Sequence, residues 1–218
     1  TYSLKKTAKR IVKGKFLNAG QTCIAPDYVV VKENIKQKFI DTLSNEISSV
    51  YGSPESQKKS EDLCRIVSQN HYDRLKVILD GNLDNIVYGG NTDREDLFIS
   101  PTILDIKSAS SNIMKSEIFG PLLPILSFDS KEDLHSMISS LPSPLVIYIF
   151  SSNKSFISEI NKNLNSGATC INDIGIHFLN HNLPFGGVGN SGMGRSHGFA
   201  SFVSFSNQRS VMKRSSLD

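Results

Sequence analysis

Four short runs of apolar residues constrain this chain more than any other feature: "YVVV" at 28–31, "LLPILSF" at 122–128, "LVIYIF" at 145–150 and "ATCI" at 168–171. Each has the length of a strand and shows no polar alternation, so each reads as a strand buried on both faces. Between them lie stretches of helical period. Leu4, Ala8, Ile11, Val12 and Phe16 form one apolar face, ended near Gly20. Ile35, Phe39, Ile40, Leu43 and Ile47 form a second, ended by "GSP" at 52–54. Leu63, Ile66, Val67, Leu75, Ile78 and Leu79 predict a third helical region, stopped by Gly81. Ser130 with Asp133 reads as a capped helix start, and Phe156, Ile157, Ile160 and Leu164 mark one more helix. "NIVYGG" and "LFISPTIL" add shorter strands. This alternation predicts an α/β fold, a parallel-rich open sheet flanked by helices on both faces.

Past residue 174 the period is lost. "LPFGGVGNSGMGRSHG" is rich in glycine, and "SFVSFSNQRSVMKRS" alternates weakly and reads as a terminal strand in need of a partner edge. The expected division is a catalytic α/β domain over 1–196 and a C-terminal oligomerisation segment over 197–218.

Gly187, Gly189 and Gly192 spell GxGxxG, but the physics of a dinucleotide fingerprint needs a strand before it and a helix after it. "NHNLPF" precedes and "MGRSHGF" follows, and residue 212 is Met where an acid is wanted. The run therefore reads as a tight irregular loop. No histidine pair has metal-ligand spacing, so no metal is expected. The net charge of +3 comes from scattered residues and gives no reason to expect nucleic acid. No apolar run reaches membrane-span length, and no signal-peptide pattern opens the sequence. The sequon at Asn153 to Ser155 has no meaning in a reducing compartment.

The three cysteines stand far apart, which argues against a disulfide framework and for a reducing, cytoplasmic setting. Cys64, beside Ile66 and Val67, and Cys170, beside Ile171, read as core. Cys23 differs. It follows a helix stop, has polar neighbours Gln21 and Thr22, and precedes Ala25-Pro26, where the chain must extend. A sulfur on a connector between rigid elements is a candidate nucleophile.

"GKFLNAGQTCIAPDYV" at 14–29 resembles the active-site cysteine motif of aldehyde dehydrogenases. "EIFGPLLPI" at 117–125 resembles that family's second signature, and "NDIGIHFLNHNLPFGGVGNSGMGRSHG" at 172–198 is similar to the C-terminal segment of its class 3 branch. The resemblance covers essentially the whole chain. It implies oxidation of an aldehyde to a carboxylic acid through a Cys23 thiohemiacetal and thioester, with hydride passing to NAD or NADP. The backbone N–H of Cys23 is implied as one oxyanion donor. Glu117 falls on the position that binds the ribose beside the nicotinamide, and Phe119 where an aromatic lies near that ring. Asn172 and His181 lie in a segment that borders the substrate entrance in the family; His181 reads as a surface residue without a role. The resemblance further implies a homodimer acting on a small-molecule aldehyde.

In that family an N-terminal half supplies the dinucleotide-binding βαβ unit, an oxyanion-hole asparagine and a water-activating glutamate. The sequence starts at Thr1 with a helix already under way, and only 22 residues precede Cys23. The expectation is a catalytic-half fragment lacking the N-terminal dinucleotide-binding domain. The alternative is a non-enzymatic dimerisation or regulatory module, or a weak thiol esterase.

Overall fold

The computed structural model describes residues 2–216. Its helices and strands follow in the order α1 Leu4–Phe16, β1 Val29–Lys32, α2 Lys36–Tyr51, α3 Gln69–Asp80, β2 Ile86–Tyr88, β3 Thr92–Asp93, β4 Phe98–Ile99, β5 Thr102–Asp105, β6 Leu122–Phe128, α4 Lys131–Ser139, β7 Val146–Ile149, α5 Lys154–Asn163, β8 Ala168–Ile171, α6 Ile176–Leu179 and α7 Gly198–Ser204.

The central sheet has the order β1-β6-β5-β2. β6 runs parallel to both neighbours, with Val29 opposite Ile125 and Ile103 opposite Leu123, while β2 pairs antiparallel with β5. Period-two geometry then sorts the apolar side chains of β6. Leu123 and Ile125 join Ala8, Val12 and Phe16 of α1 and Phe39, Leu43 and Ile47 of α2 in one core. Leu122 and Leu126 join Tyr72, Leu75 and Leu79 of α3 in another. Both faces are covered, as the unalternated strand sequences require. Each fully buried side chain of this size contributes roughly 1.5–3 kcal/mol. A third cluster packs Leu134 of α4 and Ile160 of α5 against Ile149 and Phe128. The helix starts follow their caps: Ser130 Oγ accepts from the Asp133 N–H at 3.0 Å, and the Asn153 side chain accepts from the Phe156 N–H at 3.1 Å.

β7 and β8 form a separate parallel pair. Among the described residues neither β1 nor β7 has a strand on its other edge. A groove of about 1060 Å³ is lined by every residue of both strands. Tyr148 bridges it, its hydroxyl donating to the Ile24 carbonyl at 2.7 Å. Val29 and Val30 are accordingly half-buried rather than sealed.

Three expectations are corrected. The third helix begins at Gln69, not near Leu63, and Cys64 is exposed on irregular chain rather than held in the core. The backbone N–H of Ile66 donates to Leu97 O at 3.0 Å and that of Val67 to Gln21 Oε1 at 2.9 Å, so distant acceptors take the donors a helix would have used. Ser68 then caps the helix that does form. The C-terminal segment is not a strand either: α7 covers Gly198–Ser204, and irregular chain follows to residue 216. A strand without a neighbour leaves its N–H and C=O groups unpaired, whereas a helix satisfies them locally. No helix among the described residues is long and apolar enough to cross a membrane.

Candidate active site

The connector after α1 is bent by three successive left-handed residues, Asn18, Ala19 and Gly20, with φ of 51°, 54° and 73°. Gly20 is required for packing as well as conformation, because a Cβ there would lie 2.3 Å from the Gly120 carbonyl oxygen. The loop that follows is pinned at both ends. Gln21 Nε2 donates to Asn18 O and to Arg65 O, both at 3.0 Å, and Tyr148 holds Ile24. Between these anchors Cys23 is exposed in a turn closed by Ala25 N–H to Thr22 O at 2.9 Å. Among the described residues the backbone N–H of Cys23 makes no hydrogen bond.

Cys23 and Glu117 line the same groove, together with Asp27. Asp27 Oδ1 accepts from the Ile118 N–H at 3.0 Å and so joins the cysteine connector to the Glu117 loop. No described group hydrogen-bonds the Glu117 carboxylate, whose side chain is exposed. Partial desolvation raises its pKa first and the like charge of Asp27 adds to that, while Arg74 and Lys15 pull it down. Lys15, in the last turn of α1, is almost fully buried, and burial pushes its pKa down to about 8 against the pull of Asp27 and Glu117.

Phe119 does not line the groove. It is half-buried at φ 49°, with its ring against that of His71 at a centroid distance of 6.1 Å. Its carbonyl lies 2.7 Å from His71 Nε2. Cys170 is buried as read, and burial raises its thiol pKa. Asn172 acts as a staple: its amide exchanges two 2.9 Å hydrogen bonds with the Ser151 backbone, tying the end of β8 to the end of β7. His181 is exposed, 5.7 Å from the His197 ring. The glycine run is the expected irregular loop, with a short 3-10 turn at Gly189–Ser191 tied by Val188 N–H to Ser191 Oγ at 2.9 Å.

Sequence reasoning missed Lys15, Asp27, His71 and Arg74. Lys15 and Asp27 lie inside the quoted cysteine motif, so proximity to Cys23 was their signal. The i, i+3 spacing of His71 and Arg74 puts them on one helix face, but nothing in the sequence says what that face meets.

The sequence model of the aldehyde dehydrogenase family matches residues 1–211. The chain belongs to that family. Among curated relatives, the aldehyde dehydrogenase of Craterostigma plantagineum is 44% identical over 97% of this chain and 44% of its own length. The dimeric NADP-preferring aldehyde dehydrogenase of Bos taurus is 40% identical over 96% of this chain and 86% of that sequence. A solved structure of the substrate-bound state of Staphylococcus aureus AldH superposes with a TM-score of 0.93 at 42% identity, covering 100% of this chain and 47% of that one. The chain thus spans about half the length of most of the relatives it matches.

Proposed function

We propose that this chain is the catalytic half of an enzyme that oxidises an aldehyde to a carboxylic acid. One observation carries the reading: an exposed thiol and an unpartnered carboxylate, 94 positions apart in the sequence, line one groove, at Cys23 and Glu117. The Cys23 thiolate attacks the aldehyde carbon, forming a C–S bond while the carbonyl electron pair moves to oxygen. The free Cys23 N–H is a donor for that oxyanion. Loss of hydride from the thiohemiacetal leaves a thioester, and water releases the acid and returns the thiol.

NAD or NADP, when bound, supplies the hydride acceptor. One residue present suits a dinucleotide directly: Glu117 has free acceptor oxygens for a pair of vicinal hydroxyls, while Phe119, two positions on, keeps its ring against His71 outside the groove and is assigned to the nicotinamide side by the family resemblance alone. The remaining contacts are assigned to an N-terminal half, together with the oxyanion-hole asparagine and the water-activating glutamate. The free edges of β1 and β7 support a working unit with more polypeptide than these residues. The whole protein acts as a homodimer, with residues 197–218 as its oligomerisation segment.

The test is aldehyde-dependent formation of reduced nicotinamide by the whole protein. Activity that survives Cys23→Ala would sink the reading. Turnover by residues 1–218 alone would refute the need for the other half.

A further inference from the structure

Residues 117–120 turn sharply beneath the N-terminal half of α3, and their backbone groups are taken up one after another by side chains. Arg74 Nη1 donates to the Glu117 carbonyl at 3.4 Å, and Arg74 Nη2 donates to the Ile118 carbonyl. His71 Nε2 meets the Phe119 carbonyl at 2.7 Å. The Ile118 N–H is held by Asp27. Three successive carbonyls are therefore held by two side chains one helical turn apart on α3.

The two are also coupled to each other. Arg74 Nε–H donates to His71 Nδ1 at 3.3 Å. An arginine can only donate, so Nδ1 must be the acceptor, and the ring proton sits on Nε2, where it faces Phe119 O. Arg74 Nη2 also approaches Nε2, at 3.5 Å, so the proton is assigned to Nε2 by the shorter 2.7 Å contact with a carbonyl that can only accept. α3 is itself seated: Leu75 packs so closely on Gly120 that a Cβ there would lie 2.5 Å from Leu75 Cδ2. Phe119 at φ 49° is a conformation that an aromatic residue rarely keeps unless its surroundings impose it.

We propose that His71 and Arg74 are positioning residues that hold the Glu117–Phe119 loop in its dinucleotide-binding conformation. They touch neither substrate nor the reacting atoms; they act through the loop backbone. The assignment rests on the functional reading above, because it takes Glu117 and Phe119 to be the groups that meet the dinucleotide.

The test uses the whole enzyme and four variants. His71→Gln keeps an N–H donor near the Nε2 position, and His71→Leu removes it; Arg74→Lys keeps a cation, and Arg74→Met removes it. The expected result is a rise of about three- to tenfold in KM for the dinucleotide in His71→Leu, largely restored in His71→Gln. Arg74→Met should raise it at least as much, with Arg74→Lys restoring only part, because a lysine cannot span two carbonyls. KM for the aldehyde and the rate of Cys23 alkylation should stay at wild-type values. Hydrogen exchange of the Ile118 and Phe119 amides should quicken in the two apolar variants and not in His71→Gln. Unchanged dinucleotide KM in both apolar variants would overturn the proposal, as would a loss that His71→Gln does not restore. If wild-type enzyme forms no reduced nicotinamide, the functional reading fails instead, and the exchange pattern alone decides the clamp: faster in His71→Leu and restored in His71→Gln upholds it, no difference refutes it.

Discussion

Asp27 Oδ1 receives the backbone N–H of Ile118 at 3.0 Å across 91 positions of sequence, and this bond sets the distance between the cysteine connector and the Glu117 loop. Ile118 is buried, so an Asp27→Ala change leaves its N–H without a partner and without water. The expected cost is about 1–3 kcal/mol of stability, with a weaker grip on the dinucleotide. Asp27→Asn keeps an acceptor oxygen and should recover most of the stability. It also removes the like charge beside Glu117, so the Glu117 pKa should fall. Urea denaturation of the two variants, with the Glu117 carboxyl followed by NMR, checks both parts; equal stability for Ala and wild type would refute the first.

Lys15 gives a pH signature with a definite sign. Its pKa is pushed down from 10.5 to about 8, chiefly by burial. Between those values the unfolded chain holds the proton and the folded one does not. Stability from this group therefore rises with pH across the window, by at most ~1.4 kcal/mol per unit. Below the folded value the native state bears the full cost of a buried ammonium, softened by Asp27 and Glu117. Lys15→Met removes the titration. The free-energy difference between wild type and variant, from urea melts below pH 8 and again near pH 10, should shift toward wild type as pH rises. Parallel profiles would count against it.

Much of this was legible in the residues because the signals were local. The apolar run of β6 carries no alternation and is buried on both faces as read, whereas β1, β7 and β8, read the same way, are largely half-buried and Ile171 is exposed. Gly20 and Pro26 announce that the chain changes course around Cys23. The misreadings came where a distant partner decided the outcome. Leu63, Ile66 and Val67 sit at helical spacing, yet Leu97 O and Gln21 Oε1 take the donors of Ile66 and Val67. No spacing rule reports an acceptor that far away in the sequence. The same holds for His71 and Arg74, whose targets are backbone carbonyls and carry no residue-type signature. The weak alternation after Ser201 suggested a strand, but among the described residues that segment pairs with no strand edge.

The cysteines should separate by labelling in two tiers rather than one against two. Cys23 and Cys64 are exposed and Cys170 is buried. Iodoacetamide should modify the first two in the folded protein and reach Cys170 only on unfolding, its thiol pKa being raised by burial. Only the Cys23 adduct should track loss of activity. Cys64→Ser should retain wild-type turnover and remain sensitive to the reagent. Mass mapping against residual activity checks this, and inactivation that follows Cys64 would remove Cys23 from the proposed chemistry.

The last prediction concerns the end of the chain. Phe199, Phe202 and Phe205 project into solvent together with Val211 and Met212, and Phe205 and Met212 are more than nine-tenths exposed. The rings of Phe199 and Phe202 stack at 5.9 Å, so the apolar surface is contiguous at least over α7. A contiguous exposed apolar patch marks an interaction surface. Covering it with the same segment or a sheet edge of a second subunit is the two-fold solution expected of a homo-oligomer. Deleting residues 198–218 from the whole protein should convert the proposed dimer to monomer in sedimentation. Replacing Phe202 and Phe205 with Ser should weaken the proposed dimer without unfolding the sheet, because both side chains are largely exposed. A dimer that persists unchanged through both alterations would place the interface elsewhere.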